Sequence, residues 1–96
     1  MRYGEVIKDL RVNKMKQTQK AFAKGVNISQ VYLSMIESNK VEPTIEIVTK
    51  ISKHVNVLLP ALYLSFISED DIKPEKLEHF KVLFPIMEAI VKQYVH

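Results

Sequence analysis

Apolar residues recur along the first two thirds of the chain at the three- and four-residue spacing of amphipathic helices. In the first block, about residues 3–13, Val6, Ile7 and Leu10 fall on one face, with Lys8 on the other. No Asn-Gly or Asp-Gly dipeptide occurs that could join two strands in a tight hairpin. The pattern therefore predicts an all-α fold.

Capping residues define the next two helices. Thr18 precedes the run 19–24, and Ser29 precedes the run 30–37, each in the position of an N-cap. Asn27 lies between the two runs, and asparagine is the residue after glycine that best accepts a left-handed turn. We therefore predict two short helices joined by a tight turn.

Two further short helices follow. Pro43 stops the chain from continuing as a helix, and Thr44 is placed to cap a fourth helix that ends near Asn56. A fifth helix, from about 58 to 67, accepts Pro60 in its first turn. Five helices thus form a predicted domain over residues 1–68.

The remaining residues, 69–96, form a predicted helical extension. Its acidic start, up to Asp71, is expected to be a solvated hinge, and Pro74 begins a helix that Pro85 must kink or split. Apolar residues in it repeat every seven positions. We expect these residues to form a homodimer contact: Leu77, Phe80, Leu83, Phe84, Met87, Ile90, Val91 and Tyr94. The alternative is that the helix folds back onto its own domain.

Composition removes most catalytic chemistry. The chain has 96 residues, 47% of them hydrophobic and 26% charged, which fits a single small folded protein. It contains no cysteine and only two glycines, which excludes disulfides, thiolate metal sites and a glycine-rich phosphate loop. The three histidines are too scattered to predict a metal site. We therefore expect a non-enzyme without cofactor or metal.

Charge is distributed unevenly. Residues 1–56 hold ten Lys and Arg against five Asp and Glu, whereas residues 57–96 hold four against six. A basic first part favours a polyanionic partner. The longest uncharged stretch, residues 55–68, has 14 residues, fewer than the roughly 20 that span a bilayer. We expect no membrane association and a cytoplasmic location.

Residues 18–44 resemble a known DNA-binding motif. Thr18-Gln19 and Phe22-Ala23, followed by the segment ISQVYLSMIE from Ile28 to Glu37 and by the restart at Pro43, match the spacings of the phage-repressor/Cro-like (XRE-type) helix-turn-helix family. The resemblance extends over about residues 6–57. It differs at Asn27, where the family usually has glycine, and in the distance from Arg11 to Gln19, which is one residue longer than is commonest.

The resemblance implies that the helix from about 29 to 37 enters the major groove of double-stranded DNA, which admits one α-helix. Gln30 would pair with adenine, and Val31 and Met35 would contact thymine methyl groups unless they pack against a neighbouring helix. The residues implied in base readout are Ser29, Gln30, Val31, Ser34 and Met35.

Backbone contacts follow from the same resemblance. The residues implied in phosphate binding are Thr18, Gln19, Lys20, Asn39, Lys40 and Thr44. Gln19 would also brace Gln30, and Arg11 and Glu37 would form a structural ion pair rather than contact DNA.

Together these features predict a sequence-specific transcriptional regulator, with repression favoured, that binds a two-fold operator as a homodimer. One alternative is an antitoxin or another helix-turn-helix protein whose C-terminal tail docks on a protein partner. A second is an adaptor that uses the fold only for protein contacts, although the exposed Gln30 and the basic first part argue against it.

Overall fold

The computed structural model describes residues 1–93, and these residues contain helices and no strand. The helices are α1 (Tyr3–Asp9), α2 (Gln19–Val26), α3 (Gln30–Glu37), α4 (Ile45–Val55), α5 (Leu59–Phe66) and α6 (Leu77–Lys92). Two short 3₁₀ turns, Glu69–Asp71 and Pro74–Lys76, connect α5 to α6. The all-α prediction is confirmed.

Side-chain caps begin three of the helices at the predicted residues. Thr18, Ser29 and Thr44 each accept a hydrogen bond from the backbone N–H three residues further on, at 3.1, 3.0 and 3.3 Å. Such a cap satisfies one of the N–H groups that a helix start leaves unpaired. The starts of α2, α3 and α4 are therefore fixed by local sequence.

Left-handed asparagines end α2 and α4. Asn27 has φ 64° and Asn56 has φ 56°. Asparagine tolerates this conformation better than most residues that carry a side chain, because its short polar group can bond locally. The turn at Asn27 directs the chain from α2 into α3 within three residues, as predicted.

The first helix does not end at Asp9 but continues as a π-helical turn, Leu10–Lys14. In this turn the Met15 N–H donates to the Leu10 carbonyl oxygen at 2.8 Å, five residues back. A π turn contains one residue more than an α turn needs. It accounts for the one-residue excess between Arg11 and Gln19 that the sequence shows against the family pattern.

The core lies within α1 to α5. Its fully buried members come from all five helices: Ile7, Phe22, Ala23, Val26, Leu33, Ile36, Val48, Ile51, Val55, Leu62 and Phe66. Ala23 is 1% exposed where α2 packs against its neighbours, so a larger side chain would push α2 and α3 apart.

Gly4 allows α1 to approach the end of α3 closely. A Cβ atom at this position would lie 2.5 Å from the Glu37 carbonyl oxygen and 2.7 Å from that of Ile36. The Gly4 N–H also donates to Asn39 Oδ1 at 3.0 Å. The C-terminal end of α3 is therefore held against the backbone of α1.

The acidic segment before α6 is ordered, which corrects the expectation of a simple solvated hinge. The Asp71 carboxylate accepts from the Ser68 N–H at 2.9 Å and pairs with the Met1 amino group at 2.8 Å. These hydrogen bonds hold the pKa of the Asp71 carboxyl below its ordinary value, the bond from the amino group being the main cause.

Helix α6 is continuous through Pro85, so the prediction of two separate helices is wrong. It packs on α5 along one side only, and none of its residues is fully buried. A cleft of about 490 Å³ remains between α1, α5 and α6. The side of α6 that faces α5 carries its half-buried residues: Leu77, Phe80, Phe84, Glu88 and Val91.

Candidate nucleic-acid interface

The outer face of α3 and its cap collect all five residues that were predicted to read bases. Ser29, Gln30, Val31, Ser34 and Met35 are all exposed. Their neighbours Leu33 and Ile36 are fully buried, so the helix has one face in the core and one face outward. The outward face is contiguous and contains no charged side chain.

Two of these exposed residues are apolar. Val31 is 71% exposed and Met35 is 37% exposed, and they are one helical turn apart. No neighbouring helix covers Val31, so the alternative that it packs within the protein is excluded. This surface can make both polar and apolar contacts to base edges.

A buried ion pair fixes α3 from behind. Arg11 donates from Nε to Glu37 Oε2 at 2.7 Å and from Nη2 to Oε1 at 3.0 Å, while its Nη1 donates to the Gln17 carbonyl oxygen at 2.9 Å. Arg11 is only 9% exposed. A bidentate pair of this kind restricts orientation as well as distance. The prediction that Arg11 and Glu37 form a structural pair is confirmed.

Gln19 extends this network to α2. Its Nε2 donates to Glu37 Oε1 at 3.1 Å, so one carboxylate joins the π turn after α1, α2 and α3. The resemblance implied instead that Gln19 braces Gln30. Among the described residues its amide nitrogen is directed to Glu37, and the predicted brace does not form.

Four of the predicted phosphate-binding residues are exposed polar groups. Thr18 and Lys20 lie at the start of α2, and Lys40 and Thr44 lie in the segment between α3 and α4. Each threonine hydroxyl accepts the capping bond described above and can still donate a hydrogen bond to an anion. The N-termini of α2 and α4 add partial positive charge near the threonines.

Asn39 has a structural role that sequence reasoning missed. Besides accepting from Gly4, its amide nitrogen donates to the Glu5 carboxylate. Its φ of 61° is left-handed, which was the available signal in an asparagine that follows a helix. Because both ends of its amide are bonded within the protein and a carboxylate lies beside it, Asn39 is poorly suited to a phosphate.

Ile45 is an exposed residue that the sequence patterns did not single out. It is 71% exposed at the start of α4, directly after Thr44, whereas Val48 and Ile51 on the same helix are fully buried. Its position out of phase with these core residues is the signal that could have identified it.

The predicted dimer residues are divided between two sides of α6. Leu77, Phe84 and Val91 are half-buried on the side toward α5, whereas Leu83, Met87 and Ile90 are exposed. The fold-back alternative therefore describes one side of the helix. Tyr94 lies outside the described residues.

Comparison with known proteins identifies the family. A family model described as helix-turn-helix matches residues 7–62, which is more than half of the chain. The chain belongs to this helix-turn-helix family, the XRE-type family that includes phage repressors and Cro-like proteins. It is accordingly a DNA-binding transcriptional regulator of this type.

Two other comparisons gave no match. Neither the curated proteins nor the solved structures include a sequence that matches the chain significantly. Within residues 1–93, no helix combines the length and the hydropathy needed to cross a membrane. The same residues contain no group of three or more His, Asp or Glu placed to hold a metal ion.

Proposed function

We propose that the protein is a sequence-specific repressor that binds a two-fold operator as a homodimer and places α3 in the major groove. The observation that carries this proposal is the exposed, uncharged outer face of α3 on a helix held by the buried Arg11–Glu37 pair. A rigid helix can present its side chains to base edges in one fixed register.

Base preference in this proposal comes from three side chains. The Gln30 amide donates to and accepts from the adenine edge, which presents both an acceptor and a donor in the major groove. Val31 and Met35 contact thymine methyl groups, which explains why large apolar side chains face water in the free protein. Ser29 and Ser34 add shorter polar contacts.

Phosphate binding comes from Thr18, Lys20, Lys40 and Thr44, supported by the basic character of residues 1–56. Gln19 stays in the predicted set through its position at the start of α2, although its amide nitrogen is used by Glu37. Asn39 is the weakest member, because its amide is bonded to Gly4 and Glu5. Contacts of this kind fix the register on DNA but carry no sequence information.

Dimerisation would assign residues 69–96 to a separate role from residues 1–68. One domain offers only a few base contacts, and linking two of them raises affinity through effective concentration. The exposed apolar residues of α6 support this role. They also support the second candidate, in which the same face docks on a different protein, as in an antitoxin.

Selection of DNA fragments by the full-length protein at near-physiological salt tests the proposal. We expect an inverted repeat whose half-site centres are about 10–11 base pairs apart. Binding that fades with salt and enriches no sequence would leave only charge attraction and would contradict the proposal. A direct repeat or a single half-site would contradict the two-fold arrangement.

A further inference from the structure

The exposed side of α6 carries five large apolar residues in an unbroken stripe. They are 40–65% exposed: Val82, Leu83, Ile86, Met87 and Ile90. The side of α6 that packs on α5 is a different one, through Phe84, Glu88 and Val91. Packing against its own domain thus leaves this stripe uncovered, and a surface of this kind marks a protein contact.

The stripe has the same pattern from either end. Val82 lies four residues before Ile86 and Ile90 lies four residues after it, so the three form one ridge of the helix surface. Exposed polar residues, His79 and Gln93, lie seven residues to either side of Ile86. The pattern is therefore symmetric about Ile86, and symmetry of this kind is what a two-fold contact between identical surfaces requires.

Charge does not oppose such a contact. The charged residues Glu78, Lys81 and Lys92 belong to the remaining, polar side of the helix, and none interrupts the ridge. Contact between two copies therefore places apolar groups on apolar groups without burying a like-charge pair.

We infer that two copies pair through α6 in antiparallel orientation, with the two-fold axis at Ile86. Val82 of each copy then lies opposite Ile90 of the other, and His79 lies beside Gln93, where an imidazole and an amide can form a hydrogen bond. A parallel pair would instead place each side chain beside its own copy, including His79 on His79. The inference rests on the proposed homodimer and specifies its geometry.

Single cysteines test this arrangement without ambiguity, because the chain contains no native cysteine. A disulfide needs Cα atoms about 4.4–6.8 Å apart. At a two-fold axis Ile86 meets its own copy, so Ile86→Cys should cross-link to itself on mild oxidation of the full-length protein. In the antiparallel pair the two Val82 positions are eight residues apart along the axis, about 12 Å, and should not cross-link.

The decisive sample mixes two variants. Val82→Cys and Ile90→Cys should each remain uncross-linked alone and should give a covalent dimer when mixed and oxidised. Lys81→Cys, on the polar side beside Val82, is the matched control and should give no dimer alone or in the mixture. Val82→Cys that cross-links readily to itself would overturn the antiparallel arrangement in favour of a parallel one.

Light scattering on the same unoxidised samples separates failure of this inference from failure of the proposed function. A dimer that no α6 cysteine can cross-link would overturn the inference and leave the homodimer intact. A monomer at concentrations that saturate the operator would overturn both. Ile86→Glu should make the protein monomeric, whereas Lys81→Glu should leave it dimeric; a dimeric Ile86→Glu protein would exclude this face.

Discussion

At the scale of single residues, the site depends on a few side chains whose surroundings decide what they do. Gln30 and Gln19 are the same residue type near the starts of neighbouring helices. Gln30 is exposed on the outer face of α3, whereas the amide of Gln19 is bonded to a buried carboxylate. The first is therefore available to a base, and the second mainly holds the scaffold.

Replacing Gln30 with alanine should remove one base preference from each half-site. We expect the affinity for the selected operator to fall by about 1–3 kcal/mol per half-site contact, with affinity for random DNA nearly unchanged. Repeating the DNA selection with the variant checks this prediction. Gln93→Ala, an exposed glutamine on α6, is the control, and an unchanged preference in Gln30→Ala would exclude the readout role.

Gly4 should resist replacement even by alanine. A new Cβ would meet backbone carbonyl oxygens at the end of α3, which cannot rotate away, so we expect a loss of about 1–3 kcal/mol in the free energy of unfolding. Urea unfolding measures it. Gly25→Ala is the matched control, because its Cβ meets the His54 imidazole, a side chain that can move. Equal losses in the two variants would argue against a rigid contact at Gly4.

Tyr3 should make stability fall at alkaline pH. Burial, with the hydrogen bond to Glu42, raises the pKa of Tyr3 from 10.0 to about 12. Between these values the unfolded chain loses the phenol proton while the folded protein keeps it, so the free energy of unfolding decreases as pH rises from 10 to 12. The Tyr3→Phe variant should lack this part of the decrease, and parallel curves for the two proteins would contradict the assignment.

At the scale of elements, α3 is positioned by contacts at both of its ends. The Ser29 cap fixes its start, and the Arg11–Glu37–Gln19 network and Gly4 fix its C-terminal end. The π turn gives the chain one extra residue and still leaves Arg11 within hydrogen-bond distance of Glu37. The outward face of α3 is thus set by three neighbouring segments rather than by α3 alone.

Changing Glu37 to glutamine should loosen this arrangement. Arg11 would keep its burial but lose its carboxylate, and removing one partner of a buried pair typically costs about 3–5 kcal/mol. We expect lower stability by urea unfolding and weaker operator binding. The double variant Arg11→Met, Glu37→Leu should lose less than the two single variants together; full additivity would mean that the pair is not coupled.

At the scale of the whole molecule, the five-helix core and α6 differ in how they are packed. The core buries eleven hydrophobic residues, all from α1 to α5, while α6 has no fully buried residue and lies over a cleft. In the proposed dimer, α6 gains its remaining burial from a second copy. Burying side chains that are now half exposed contributes of the order of 1 kcal/mol each.

Deleting residues 70–96 should give a monomeric protein that binds the operator poorly, because each half-site would then be bound independently. Sedimentation measures the assembly state, and titration of the selected DNA measures binding. We expect the shortened protein to keep the base preference of a half-site. If it remains dimeric, residues 70–96 do not form the dimer contact.

Local sequence determined the helices and most of the predicted site. Capping depends on a side chain and a backbone group three residues away, so Thr18, Ser29 and Thr44 identify helix starts without tertiary information. The phase of Leu33 and Ile36 likewise determines which face of α3 is outward. Both follow from interactions within a single turn of chain.

Contacts between residues distant in sequence were decided only by the tertiary structure. The amide of Asn39 lies beside Gly4 and Glu5, and that of Gln19 reaches Glu37, although local pattern made both residues equally available to DNA. The heptad spacing of α6 could not say which of its apolar rows faces α5. A helical repeat specifies that a face will be covered, but the rest of the fold selects its partner.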